Sequence, residues 1–211
     1  MEIEEIVPHY HSNNFFVRTL FLKRLNLAIK IAEKKLNLPA KIKVIDLGCG
    51  EGKLLKRLEE YSDKLKLFGV DIEPKVIKIK EFLQRSEIKI ADLRQSGYPD
   101  EFFDVVFCLD VLEHFASLKE PVNEIKRILK SDGLLVVSLP TENFLFKLGR
   151  FMITGTPSME KGPTTPHFHI ARTVEKFLAM NGFSIVEKKY LPALPLLSLF
   201  HIIAFEKTSR L

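Results

Sequence analysis

The chain has 211 residues, enough for one domain with a buried core of its own. Hydrophobic residues make up 46% and charged residues 28%, which excludes a disordered, collagenous or coiled-coil chain. The net charge of +5 and pI near 9.1 come from scattered Lys and Glu, so a solvated surface explains them better than a nucleic-acid stripe.

Two cysteines, Cys49 and Cys108, cannot build a disulfide framework and lack metal-type spacing. Free thiols point to a reducing, cytoplasmic setting. Glu2, Glu4 and Glu5 stand where a secretory signal would carry basic residues. The most apolar stretch, Leu191 to Phe205, is interrupted by Pro192 and Pro195 and is too short for a membrane span of roughly 20 residues.

The first 40 residues are expected to form a helical segment. From Asn13 to Leu36, Phe16, Leu20, Leu22, Leu25, Ala28, Ile31 and Ala32 recur at helical spacing, giving one or two helices that stop before Pro39. A core over 41–207 follows, in which strand and helix patterns alternate. Strands are expected at Lys43–Leu47, Leu67–Asp71, Ile88–Ile90, Phe103–Leu109 and Leu134–Ser138, with helices at Lys53–Tyr61, Pro74–Leu83 and Glu120–Lys130. Such alternation predicts a doubly wound, mainly parallel sheet, because parallel neighbours need crossover connections. Residues 154–169, rich in Pro, Gly, Thr and Ser, read as a long lid-like loop. A helix over Thr173–Asn181 stops at Gly182, and Phe183–Tyr190 and Phe200–Lys207 close the chain as strands.

The most informative stretch is Val44-Ile-Asp-Leu-Gly-Cys-Gly-Glu-Gly52, a strand running into three alternate glycines and then a helix. Glycines permit a sharp turn and a close ligand approach, and a helix N-terminus offers free N–H donors. Asp71 closes the second strand, where an acidic side chain accepts hydrogen bonds from ribose hydroxyls; a helix N-cap before Pro74 is its structural alternative. Asp92, after the third strand, is placed to accept from an exocyclic adenine amine. Asp46 decides between two cofactors. A carboxylate just before the turn repels a diphosphate and suits a cationic sulfonium, which favours S-adenosylmethionine over a nicotinamide dinucleotide.

With these residues in place, the sequence resembles the class I S-adenosylmethionine-dependent methyltransferases over roughly residues 40 to 207. The glycine stretch is joined by Phe68-Gly-Val-Asp-Ile72, Ala91-Asp-Leu93, Phe103-Asp-Val-Val-Phe107, Val111-Leu-Glu-His114, Arg127-Ile-Leu-Lys-Ser-Asp-Gly-Leu-Leu135 and Gly182-Phe183. The resemblance implies a Rossmann-like α/β fold, a seven-stranded sheet whose last strand runs antiparallel, behind the N-terminal helical extension. It implies that Asp46, Gly48, Cys49 and Gly50 line the methionine part of the cofactor and that Asp71 holds the ribose. Ile72 would lie against the adenine, Asp92 and Leu93 at its edge, and Leu109 beneath the cofactor. Ser131-Asp132 before Gly133 departs from the family's common Pro-Gly, at a structural turn.

Methyl transfer from a sulfonium needs alignment and exclusion of water, and a general base only where the acceptor is protonated. Candidate bases cluster in Asp110-Val-Leu-Glu-His-Phe115. On a helical turn Asp110, Glu113 and His114 would share one face, with His114 as base and Glu113 beside it. The bland alternative is that Glu113 and His114 brace the loop. Quinone-precursor and small-RNA methyltransferases with a similar segment hold a divalent metal there, which here would need His167 or His169; Asp110 departs from their usual Glu, and no metal is assigned. His9, His11 and Arg18 are candidates to close over the cofactor's carboxylate. Phe144, Phe146, Phe151, Met152 and the Leu191–Leu199 run supply apolar side chains at the substrate end; core packing explains most of them, and any exposed part would fit an apolar or lipid-like acceptor or a dimer surface. The expected activity is methylation of an oxygen or nitrogen of a small or medium-sized acceptor. The alternatives are an RNA methyltransferase of the 2′-O type and a noncatalytic cofactor-binding protein.

Overall fold

A computed structural model describes residues 15–38, 40–141, 168–195 and 198–208. The calls on His9, His11, Phe144, Phe146, Phe151, Met152 and His167, and most of the 154–169 loop, lie outside the described residues.

Seven strands form one sheet: β1 (Ile42–Leu47), β2 (Leu65–Asp71), β3 (Ser86–Ile90), β4 (Phe103–Leu109), β5 (Leu129–Pro140), β6 (Phe183–Leu191) and β7 (Phe200–Lys207). Their order is β3-β2-β1-β4-β5-β7-β6. The first five pair in parallel, and β7 runs antiparallel to both β5 and β6. The central strands read as continuous apolar runs because both of their faces are covered. β4 is buried at every position.

Alternation along the strands divides the core in two. Val44, Val105, Phe107, Val136, Ile202 and Ala204 face one layer, built by α1 (Phe15–Leu36) and α2 (Lys53–Tyr61). Ile45, Leu47, Val106, Cys108, Val137, Ile203 and Phe205 face the other, built by α3 (Lys119–Ile128) and α4 (Ala171–Met180). α1 is one continuous helix, whose stripe of Leu25, Ala28, Ile29, Ala32 and Leu36 is buried at i, i+3, i+4 spacing. It lies against β4, β5, β6 and β7. Each Leu or Ile so buried stabilises the fold by about 1.5–3 kcal/mol.

Three local expectations are corrected. The Pro74–Leu83 segment is a 3-10 helix, Pro74–Glu81. β5 begins directly after α3 and is longer than the expected Leu134–Ser138, since Leu129 already pairs with Phe103. The expected helical turn after β4 is a short 3-10 turn, Leu112–His114, and Asp110 stands outside it with φ +55°. At the end of α4, Gly182 takes φ +91° next to the cap residue Asn181, the expected helix stop.

Candidate active site

The carboxyl ends of β1, β2 and β4 lie side by side, with Asp46 opposite Gly69 on one flank and Phe107 on the other. Parallel sheets open toward ligands at these ends. A cavity there is lined by Asp46, Gly48, Cys49, Gly50, Glu51, Lys53, Leu109 and Asp110, and on its α1 side by Arg24 and Leu25. Five of the expected cofactor residues thus share one cavity: Asp46, Gly48, Cys49, Gly50 and Leu109.

The glycine turn is tied to the end of β2. The N–H groups of Gly48 and Cys49 both donate to the Val70 carbonyl, at 2.7 and 3.1 Å, and Gly52 N–H donates to the Cys49 carbonyl at 2.8 Å. Gly50 N–H donates to Asp71 Oδ2 at 2.8 Å. The free donors expected of this turn are therefore spent within the protein, because the backbone satisfies itself across the β1–β2 crossover. Gly48 adopts φ +77°, and a Cβ on it would stand 2.4 Å from Val111 Cγ2, so the residue after β1 must be glycine.

Asp71 Oδ1 accepts from Glu73 N–H at 3.0 Å, the turn contact foreseen as its structural alternative. Each oxygen keeps a second lone pair, so turn and ligand roles are compatible. Ile72, next in the chain, is 68% exposed. A large apolar side chain left in water beside a carboxylate is what a flat heteroaromatic base would cover. Leu93 is buried, and Asp92 caps the 3-10 turn Leu93–Gln95 and bonds the Arg94 guanidinium through both oxygens. Those bonds hold the Asp92 carboxyl below the usual carboxylate range.

Asp46 is only 4% exposed. Burial first, and then the neighbouring Asp71 carboxylate, push its pKa up to about 7, against the lowering pull of Arg24. A buried carboxyl poised in this way gains its charge when a cation arrives beside it. Burial also pushes the thiols of Cys49 and Cys108 up, which leaves both as neutral packing groups.

At the β4 end the expected alignment is replaced. Asp110 Oδ1 accepts from the Ser138 hydroxyl at 2.8 Å, Asp110 N–H donates to the Ser138 carbonyl at 3.0 Å, and Oδ2 pairs with Arg24. Glu113 is fully buried, and its carbonyl accepts from Phe168 N–H at 2.7 Å. The 3-10 turn breaks the i, i+3, i+4 stacking because Asp110 lies before it, so Asp110 faces the cavity while Glu113 is inside the protein. His114 is half-buried at the end of the turn. Among the described residues no group of three or more His, Cys, Asp or Glu side chains is placed to hold a metal ion. Arg18 is exposed on α1. The guanidinium at the cavity belongs to Arg24, which the sequence reading missed; its one signal was a charged residue on the apolar stripe between Phe21 and Ala28.

Residues 45–137 match the family model described as a methyltransferase domain. An uncharacterized protein from Methanocaldococcus jannaschii is 30% identical over 132 residues, covering 63% of this chain and 54% of that one. The sterol 4-C-methyltransferase strm-1 of Caenorhabditis elegans is 31% identical over 146 residues, covering 63% and 43%. The chain spans about half or less of the length of these relatives. Among solved structures, the N-methyltransferase NodS of Bradyrhizobium japonicum, in complex with S-adenosyl-L-homocysteine, superposes with TM-score 0.67 at 17% identity, covering 99% and 95%. Over residues 45–137 the chain is thus similar to methyltransferase domains, and its fold is that of the solved NodS N-methyltransferase.

Proposed function

We propose that this protein transfers a methyl group from S-adenosylmethionine to an oxygen or nitrogen of a small or medium-sized acceptor. The observation that carries this is the cavity itself: Asp46, Glu51 and Asp110 line a cleft over the glycine turn, and Asp71, bonded to Gly50 N–H, stands beside it with the exposed Ile72 next in the chain. Those carboxylates suit a cationic sulfonium bearing a ribose and a base better than a pyrophosphate. Asp46, Gly48, Cys49 and Gly50 would hold its methionine portion and Asp71 its ribose hydroxyls. Ile72, Asp92 and Leu93 would take the adenine, and Leu109 the floor.

When bound, the cofactor supplies an activated methyl on a good leaving group. The chain's own part is then to orient and to exclude water, which effective-molarity data value at about 7–11 kcal/mol of barrier. Leu109 and Cys49 keep the floor of the cleft dry, and Asp46 balances positive charge without attacking it. His114, half-buried at the end of the turn that follows β4, is the base for a protonated acceptor. Glu113 positions the 3-10 turn that carries it, through the backbone bond to Phe168. Nitrogen as the target atom is supported by the NodS likeness, an N-methyltransferase; the sterol relative acts at carbon. Among the described residues no helix is long and apolar enough to cross a membrane. The buried free thiols fit a cytoplasmic setting.

Calorimetry with S-adenosylhomocysteine tests the reading. Asp71→Ala is expected to weaken binding by about 1–3 kcal/mol, the cost of losing charge-assisted hydrogen bonds to the ribose. Unchanged affinity, or wild-type binding of a nicotinamide dinucleotide instead, would remove the assignment.

A further inference from the structure

A backbone bond and an ion pair tie α4 to its neighbours. Ahead of the helix, Phe168 N–H donates to the Glu113 carbonyl at 2.7 Å, which joins the chain entering α4 to the 3-10 turn that ends in His114. In the second turn of α4, Glu175 pairs with Lys188 of β6 at 2.6 Å. His201 lies beside that ion pair. Its neighbours Phe200 and Ile202 face the α1 layer, so His201 turns to the opposite layer, the one α4 covers. It is paired with Leu139 of β5 on one side and with Tyr190 of β6 on the other, and the Tyr190 ring meets it edge to face at 5.0 Å.

The imidazole is half-buried, and its Nδ1 is buried with no hydrogen-bond partner among the described residues. A neutral ring tolerates this better than a charged one. An imidazolium carries a proton on both nitrogens and would leave the Nδ1–H as an orphaned donor. The surrounding charges act in the same direction. β6 presents Lys188 and Tyr190, α4 presents Glu175 and β5 presents Leu139, while Arg172 and Lys176 of α4 are exposed. Glu175 is already held by Lys188, so a proton on His201 brings a second cation to a site whose anion is taken. Burial first, and then the Lys188 ammonium, hold the imidazole below its ordinary value of 6.5, against the pull of Glu175.

We infer that His201 is an acid-operated latch on α4: neutral, it lets the helix stay docked on β6; protonated, it drives the helix off, and with it the Phe168 tie to the turn that carries His114. The latch is a property of the fold and stands whether or not the methyltransferase reading does. Its link to the reaction is positional, since the turn it loosens presents the proposed base. An undocked helix leaves the imidazole in water, where it binds a proton more readily than in the docked state. Docking therefore weakens as pH falls below 6.5, by up to about tenfold per pH unit for one proton.

Hydrogen exchange followed by NMR on the full chain, without ligand, tests this. Between about pH 7 and about pH 5, and after division by the intrinsic rate at each pH, protection of the α4 amides should fall about 5- to 25-fold while that of β1 and β4 stays level. His201→Phe keeps a ring against Tyr190 and cannot take a proton, so its α4 protection should not depend on pH. Lys188→Met frees Glu175 to compensate the imidazolium, and its acid loss should be smaller than that of wild type. Titration of the wild-type imidazole is a check free of variants: His201 should titrate below 6.5. A ring that titrates at 6.5 or above overturns the inference. So does α4 protection that ignores pH, or a loss shared equally by β1 and β4, which is general acid unfolding. An acid loss that survives His201→Phe overturns it too and passes the role to another group, such as His169, whose Nε2 is also buried without a partner among the described residues.

Discussion

At the β2 end of the cleft, Asp71 accepts from two backbone N–H groups, of Gly50 across the β1–β2 crossover and of Glu73 two residues on. At the β4 end, Asp110 is held by two side chains, Ser138 and Arg24, from β5 and α1. Both carboxylates are fixed, but by different means. Backbone anchors are supplied by whichever residues form the turn, so this end tolerates variation around its glycines and its one acid. Side-chain anchors require three particular residues to meet from three elements. Gly48 joins the two ends, since its missing Cβ is the space that Val111 of the β4 end occupies.

The sharpest way to break this contrast is Gly48→Ala. A left-handed alanine costs about 1–2 kcal/mol, and overpacking against Val111 about 1–3 kcal/mol more. Denaturant unfolding should register both, with loss of ligand affinity. Adding Val111→Ala should return the packing part and leave the backbone part, which separates the turn's own need for glycine from its fit to the β4 end.

Asp46 lies between the ends and gives a smaller, pH-dependent effect. Its carboxyl is raised from 3.8 to about 7 in the free protein. The unfolded chain therefore releases this proton at lower pH than the folded one, and the group's contribution to stability falls as pH rises from about 4 to about 7. A cationic ligand favours the ionised form, so its affinity should climb through pH 6–7 and level off above, with a proton released on binding below the plateau. Calorimetry in buffers of different ionisation enthalpy measures that proton. Asp46→Asn should abolish both the pH slope and the proton release, and a slope that survives would place the titrating group elsewhere.

Arg94→Ala should have the smallest effect. The Asp92–Arg94 pair is solvent-exposed, and such pairs contribute little to stability. The unfolding midpoint should stay in place, while carboxylate titration by NMR should show the Asp92 pKa rising toward its ordinary value. Ligand affinity that dropped with Arg94 would show that the pair, rather than Asp92 alone, serves the adenine edge.

Much of the β2 end was legible from residue types in order. Val44 to Leu47 announced a strand buried on both faces, Gly48, Gly50 and Gly52 announced the turn, and Asp71 sat where a second strand ended. Each is a local signal of periodicity or backbone freedom. The β4 end was read correctly for place and wrongly for arrangement. Asp110, Glu113 and His114 were expected on one helical face, yet a left-handed Asp110 turns toward α1 while Glu113 goes inward. Nothing in residues 110–115 specifies a positive φ at an aspartate; the Ser138 hydroxyl and the Arg24 guanidinium impose it from far along the chain.

By itself, then, the order of residues determined the strands and helices, the sheet's polarity, the glycine turn and the acids that flank it, because these follow from burial period and from φ preferences within a few positions. Only the tertiary structure decided that the Gly48, Cys49 and Gly50 amides are bonded to the end of β2, that Asp46 is buried enough to titrate near neutrality, and that Arg24 rather than Arg18 reaches the cleft. Those depend on which elements cross in space, where desolvation and ion pairing join residues that sequence distance keeps apart.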